Sequence, residues 1–521
     1  MNATTLSSRP DDTARSASRA RGLSQGRLVI LLLVLGAVPL LLPTVPPLID
    51  LPNHMSRYAI GLDYATSPWF RQWFDFHWVL VGNLGVDLLV TALAPALGVE
   101  LATKIVILAI PVVTIGGALL IAREVHGRIP LTAAFAAVFA YNWPLNFGFV
   151  NFCLAAGMAL LAFGLWLRMG RLGQHRLRMA LFVPIGFAVW VAHAAGWGIL
   201  GVLIFSWEVM DAQPRIGWAR AIARAVVCCL PLTLPLVPML FWSAALPKGS
   251  LGLFAFDAMR KLAIVLLTLR NGNPPVDLGA TLVILGVCVA GILRTDLTFD
   301  RRLTVVGLVL LLVFIAMPVN LMGSGHADLR IAPYAVMLFP LALRPTAETP
   351  FTRWLGLGAI AFFTASMAYH AASYFQISRM QEHQLEALDH LPIGSRVFAL
   401  SRVSCSADMA GYRMDHVHRL AVVRRQAFTN GTWPYPASQT LIVHPDMVAG
   451  YADESSQLIQ QPDCLDGKTH TVDGALAALP RDRYQYLWML DMPPALRPSR
   501  PWLQPVWQND STVLYRIVRA G

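Results

Sequence analysis

Apolar runs close to the roughly 20 residues that a helix needs to cross a bilayer recur along this chain from residue 28 to residue 372. A backbone in lipid has no water to satisfy it, so such runs commit the chain to membrane-spanning helices. Composition agrees: of 521 residues, 56% are hydrophobic and only 14% are charged. The formal charge of +11 would suggest a nucleic-acid partner in a soluble chain. Here the arginines fall in short loops between apolar runs, which is the pattern that orients a membrane protein, and no nucleic acid is implied.

Residues 1–26 are polar and rich in Ser and Arg (Arg9, Arg15, Arg19, Arg21) and predict a disordered cytoplasmic tail. The run 28–49 is too long for a signal-peptide core and lacks a clear cleavage site, so it reads as an uncleaved first span. Cationic loops at Arg123 and Arg128, at Arg168 to Arg178, at Arg215 to Arg224 and at Arg294 to Arg302 then fix the inner ends. Spans at 101–122, 130–147, 149–168, 179–195, 196–211, 222–245, 279–293, 303–320, 331–345 and 354–372 complete the set. With the first, this gives about eleven crossings, N-terminus inside and C-terminus outside. A shorter apolar piece, 84–97, is left uncrossed, because crossing there would export the arginines of 168–178. It belongs to a long first outer loop, 50–100, whose aromatics (Trp69, Phe70, Trp73, Phe74, Phe76, Trp78) suit the membrane interface.

The expected fold is therefore mainly α: a polytopic helical membrane domain over residues 27–372, followed by an α/β domain outside the membrane over residues 373–521. In that second domain MQEHQLEALDHL has helical pattern, and SRVFAL, YQYLWML and STVLYRI have strand character. Cys153, Cys228, Cys229 and Cys288 lie in spans as small apolar fillers. Cys405 and Cys464 both fall in the exported domain, where an oxidising compartment favours their pairing as a disulfide. A bacterial-type inner membrane fits this organisation.

Chemistry concentrates at predicted outer ends. In IDLPNHMSRYAI an acid, an imidazole and a guanidinium follow the first span in quick succession. If the segment after Pro52 is helical, His54, Arg57 or Tyr58, and Gly61 share a face, with Asp50 at its mouth. Ionisable groups at the end of a span are costly and mark sites. The plainer alternative makes Asp50 a helix cap paired with Arg57. YNWPLNFGFVNF places Asn142, Asn146 and Asn151 around Pro144 and Gly148, able to bind sugar hydroxyls or simply to cap a hairpin turn. VAHAAGWG puts His193 and Trp197 on one helix face, with interhelical bonding as the alternative for His193. Lys248, Arg260, Lys261 and Arg270 sit in an outer segment that should be poor in cations; they suit a phosphate or anionic head group, or plain snorkelling. GSGHADLRIAPY offers His326, Asp328 and Arg330 on a Gly-rich loop, where the Arg fork matches phosphate oxygens and a local Asp328 to Arg330 pair is the alternative.

An acid at the outer end of the first span, a long first outer loop, about eleven spans, a late outer-loop Arg and a C-terminal exported domain together resemble the GT-C superfamily. These are polytopic glycosyltransferases of mannosyl- and arabinosyltransferase type that take sugars from polyprenyl-phosphate donors. The resemblance implies Asp50 as catalytic base, His54, Arg57 and Tyr58 lining the cleft, and Arg330 in HADLR meeting the donor phosphate. Arg260, Lys261 and His326 would assist at the phosphate, and Asn142, Asn146 and His193 at sugar or acceptor. Many members carry a second acid directly after the first, where this chain has Leu51. No cofactor is named by these residues; a divalent metal is compatible with them. Expected partners are a polyprenyl-phosphate-linked sugar, the bilayer, and an envelope glycan, lipid or protein acceptor. A lipid or solute transporter and a non-catalytic assembly protein are the rival classes; the first is disfavoured because no internal repeat is visible.

Overall fold

The computed structural model describes residues 10–245, 256–321, 325–403, 412–432, 440–448, 457–460 and 471–518. The chain is a multi-pass membrane protein. Among the described residues six helices are long and apolar enough to cross a membrane: Val99–His126, Val150–Arg171, His175–Ala192, Ala194–Ile216, Pro274–Leu293 and Pro350–His390. Shorter helices, among them Arg301–Ala316 and Ala327–Ala342, complete the bundle. The helix Gly85–Leu97 has 13 residues and ends at Gly98. At 1.5 Å per residue it reaches about 20 Å, short of the roughly 30 Å hydrocarbon core.

Several predicted spans take a different form. The first helix runs from Pro10 to Leu41. Its early start reflects an Ala- and Arg-containing stretch without a breaker after Pro10. Its early stop precedes Pro43, Pro46 and Pro47, whose missing N–H groups cannot continue a helix. The segment expected as a span at 130–147 is a buried chain of short pieces: 3-10 turns at Leu131–Ala133 and Val138–Tyr141, helical turns at Ala134–Ala137 and Trp143–Phe147. Packed inside the bundle, that irregular backbone meets protein rather than lipid, which is what makes it tolerable. The span at 222–245 divides into Trp218–Cys229 and Leu236–Ala245 around Pro231 and Pro235.

The helix Pro350–Leu385 runs unbroken for 36 residues past position 373, so bundle and C-terminal domain share one rigid element. Beyond it lies a mixed sheet in the order Phe428–Thr429, Arg396–Arg402, Tyr486–Leu490, Val513–Ile517, Leu503–Gln508, with Leu458–Ile459 also paired to Arg396–Arg402. Arg396–Arg402 is parallel to its three partners, and the last two strands are antiparallel. The three strand-like sequences are all strands here.

The aromatics of the first loop find a use other than the expected one. Phe74–Phe76 forms an antiparallel strand with Leu441–Val443 of the C-terminal domain. Phe70, Trp73 and Phe74 are buried in that domain's core with Phe398, Phe428 and Leu487. Trp73 and Phe74 each lie 5.8 Å from the Phe428 ring. Only Trp69 and Trp78 of the cluster are exposed. Burying several rings in one core stabilises the junction more than leaving them at an interface would.

Candidate active site

After Leu41 the chain turns through residues 42–50 and is stitched to the turn at 142–148. Ile49 N–H donates to Asn146 O at 3.3 Å and Asp50 N–H to Phe147 O at 3.0 Å. The approach is so close that only glycine fits opposite: at Gly148, φ is +97° and a Cβ would lie 2.7 Å from the Asp50 nitrogen. The helix Leu51–Asp63 then starts as predicted, with Pro52 in its first turn. Asp50 stands at the cap position, yet its side chain makes no cap bond, and it is 4% exposed. A buried carboxylate that declines its local partner is held for something else.

Arg57 does not pair with Asp50. Its Nε and Nη2 donate to the two oxygens of Asp87 at 2.8 and 3.0 Å, and Asn151 Nδ2 donates to Asp87 at 2.9 Å. This buried fork fastens helix Leu51–Asp63 to helix Gly85–Leu97. Arg57→Ala is expected to cost about 3–5 kcal/mol of stability, because Asp87 would keep a buried charge with no cation. Thermal unfolding in detergent checks this; an unchanged melting temperature would remove the structural role. His54 Nδ1 lies 3.2 Å from Arg57 Nη2, and its ring stacks 6.4 Å from that of Tyr58, whose hydroxyl is buried without a hydrogen-bond partner among the described residues.

The remaining candidates divide. Asn142 caps the turn Trp143–Phe147 by accepting from Leu145 N–H at 3.0 Å. Asn146 accepts from Tyr374 and Arg413 and donates to Arg270 O, so its amide is spent on structure. His193 caps helix Ala194–Ile216, its Nδ1 accepting from Ala195 N–H at 3.1 Å. Lys261 donates to Phe314 O, Met317 O and Asp328 at 3.1, 2.7 and 3.1 Å. Arg260 forks onto Asp328 at 3.2 and 3.1 Å and reaches His326 Nδ1 at 3.4 Å. Asp328 is thereby satisfied by Arg260 and Lys261, and Arg330 is left to other work. Its Nη1 donates to Gly325 O, its guanidinium lies 4.2 Å over the Phe149 ring, and its Nε is buried with no hydrogen-bond partner among the described residues. No direct ion pair links Asp50 to Arg330 among the described residues, yet the two charges act on each other. Cys405 and Cys464 lie outside the described residues, as does Lys248.

The C-terminal domain completes the surroundings with residues that sequence reasoning missed. Arg413 is 1% exposed and donates to Pro47 O, to Asn146 Oδ1 and to both oxygens of Asn271, at 2.9, 3.1, 2.9 and 2.7 Å. Arg419 donates to Ser56 Oγ at 2.8 Å and to Thr429. Between them His416 Nε2 lies 3.8 Å from Asp50 Oδ1. The available signal was density: YRMDHVHR packs two Arg, two His and an Asp into one short stretch of a domain otherwise without motifs.

Burial pushes the Asp50 carboxyl well above the usual range, the Asp415 charge adds to this, and Arg330 opposes it. Burial also raises Asp415 to about 7, against the bond from Gln457, and lowers His416 to about 3, with help from Arg419. The raised Asp415 has a testable sign. Its contribution to stability is complete below the ordinary carboxylate range and is lost as pH rises through about 7. Asp415→Asn should therefore melt higher than the parent at pH 8 and equally at pH 4; melting curves at the two pH values that show equal differences would refute it.

Among the described residues no three His, Cys, Asp or Glu side chains converge as metal ligands. No family model and no curated protein matches the chain. Solved structures to which the chain is similar include the following. ArnT from Cupriavidus metallidurans in the apo state is 14% identical, with a TM-score of 0.46 over 95% of this chain and 98% of its own. The same protein bound to undecaprenyl phosphate is 13% identical, with a TM-score of 0.48 over 94% and 97%. The arabinofuranosyltransferase AftD from Mycobacteria is 14% identical, with a TM-score of 0.43 over 95% of this chain and 40% of its own.

Proposed function

We propose that the chain is a membrane glycosyltransferase of the GT-C kind its sequence resembles, moving a sugar from a polyprenyl-phosphate donor to an envelope acceptor on the outer face. Asp50 takes the acceptor proton, and Arg330 faces the leaving phosphate. The observation that supports this reading is a buried carboxylate and a buried guanidinium from distant parts of the sequence whose charges act on each other, with no ion pair between them and no partner for the guanidinium Nε among the described residues. Buried charges of this kind are costly and mark a site.

The chemistry follows from the charges. As the acceptor oxygen attacks the sugar carbon, its proton needs a base, and a carboxylate with raised proton affinity is suited to take it. Negative charge grows on the departing phosphate, and Arg330 keeps its own charge at any working pH. The Phe149 ring lies under the guanidinium and packs in turn against His326, which also meets Phe147. Asn142, Asn146 and His193 shape the wall rather than present free polar groups.

The test is a panel of labelled polyprenyl-phosphate sugars offered to purified protein in lipid, read for sugar transfer and for hydrolysis. Turnover with at least one donor is expected. Movement of donor across vesicle membranes with no cleavage of the sugar-phosphate bond would replace this reading with a transporter.

A further inference from the structure

Asp415 and His416 are the buried titratable groups nearest Asp50 that the reaction above leaves without a task. His416 lies between two acids: its Nε2 is 3.8 Å from Asp50 Oδ1 and its Nδ1 3.8 Å from Asp415 Oδ1. Asp415 is fixed in turn by Gln457, whose Nε2 donates to Oδ1 at 2.6 Å. The stretch that carries the pair is bolted to the membrane domain on both sides, by Arg413 to Pro47 and Asn271 and by Arg419 to Ser56 on the helix that Asp50 opens. His418 is locked to Asp415 O and Asn430 O, both at 3.0 Å. Stability does not account for this concentration of buried charge, since apolar residues of similar size would serve a mere interface at least as well.

We propose that Asp415 and His416 are a proton relay for Asp50, so that the C-terminal domain is a working part of the active site and supplies the second carboxylate that Leu51 does not. This rests on the glycosyl-transfer reading. The acceptor hydroxyl oxygen bonds to the sugar carbon while the bond from that carbon to the lipid phosphate oxygen breaks, and the electron pair leaves with the phosphate. The hydroxyl proton passes to Asp50. It moves on to His416 Nε2, whose Nδ1 lies 3.8 Å from Asp415 Oδ1, and the resulting imidazolium is balanced by the two carboxylates. Loss of that proton to water restores the starting charges. One sugar has changed partner, one lipid phosphate is free and one proton has been released.

The groups facing His416 support these roles. Asp50 and His54 approach from the first-loop helix, Asp415, His418 and Arg419 from its own segment, and Arg330 acts from across Asp50. Burial and Arg419 keep the resting ring neutral and weaken its hold on a proton, so that a proton taken from Asp50 is passed on rather than kept. Gaps of 3.8 Å exceed a hydrogen bond, and contacts of this kind close in substrate complexes. As positioning residues acting through Asp50, the pair should influence turnover and its pH dependence rather than donor affinity.

The experiment measures kcat and KM from pH 5 to 9 for the full-length protein in lipid, with His416→Gln, Asp415→Asn and Asp50→Asn in parallel. His416→Gln is expected to lower kcat about 100-fold with KM for the donor lipid within about twofold. Asp415→Asn should remove an acid limb near pH 7 that the parent shows, since only the ionised carboxylate balances the imidazolium. This second variant stands alone if His416→Gln fails to fold. Parental kcat and an unchanged acid limb in both, with Asp50→Asn inactive, would overturn the relay and leave the transferase reading intact. No turnover by the parent on any donor, with donor carried across vesicles uncleaved, would overturn both.

Discussion

Asp50→Asn is expected to abolish sugar transfer, by about 1,000-fold or more, while leaving a protein as stable as the parent or more so. The backbone that places residue 50 does not depend on the carboxylate. Its N–H donates to Phe147 O, and its own carbonyl accepts from Asn53 and His54. The side chain makes no cap bond that an amide would lose. Burial raises the folded pKa, so ionising Asp50 lowers stability as pH climbs above the ordinary carboxylate range, and an amide avoids that loss. Activity and stability should therefore move in opposite directions, which a simple folding defect cannot imitate. Transfer assays beside melting curves at pH 7 decide it. Full turnover in the variant would remove Asp50 as base, and a lower melting temperature would mean that the carboxylate has a structural partner after all.

Arg413→Ala should be the most damaging single change to the architecture. Its guanidinium satisfies acceptors on three separate segments: Pro47 before the acid, Asn146 in the adjoining turn and Asn271 before helix Pro274–Leu293. Each buried acceptor left alone costs about 1–3 kcal/mol, so a total loss of roughly 3–5 kcal/mol is expected after relaxation. Activity should fall with it although Arg413 has no part in the chemistry, because Asp415 and His416 are carried on the same stretch. Arg413→Lys should rescue little, since one ammonium cannot reproduce a planar fork. Limited proteolysis is the direct measurement: cleavage between bundle and C-terminal domain should accelerate in Arg413→Ala. Parental resistance would show that the Phe74–Phe76 strand and the shared helix suffice to hold the two together.

Local features were legible in the sequence. Pro52 after an acid gave a helix start, and alternating apolar residues gave three strands, because both signals depend on neighbours a few positions apart. Arg330 could be singled out as a candidate because its residue type and Gly-rich setting suit a phosphate. Partnerships across the fold were not legible. Arg57 had a plausible partner at Asp50 and takes one at Asp87 instead, a choice set by how two helices pack. The irregular stretch 131–141 is apolar throughout, and composition alone cannot tell a span from a buried broken helix. The first-loop aromatics suit lipid interface and protein core equally well. Arg413 to Arg419 could be noticed only as an unusual density of ionisable groups, and their destination beside Asp50 depends on the whole topology.

Residues 50 and 416 are separated by every long apolar helix among the described residues, and this orders events during synthesis. The acid leaves the ribosome early, while its imidazole neighbour follows only after every membrane helix has been threaded into place. Contacts between such distant segments are the last that a growing chain can make. A half-made molecule therefore holds Asp50 in an unfinished setting, without the groups that surround it in the completed fold. A chain that stalls before residue 412 lacks Arg413, His416 and Arg419, and with them the contacts that close around Asp50 and Ser56.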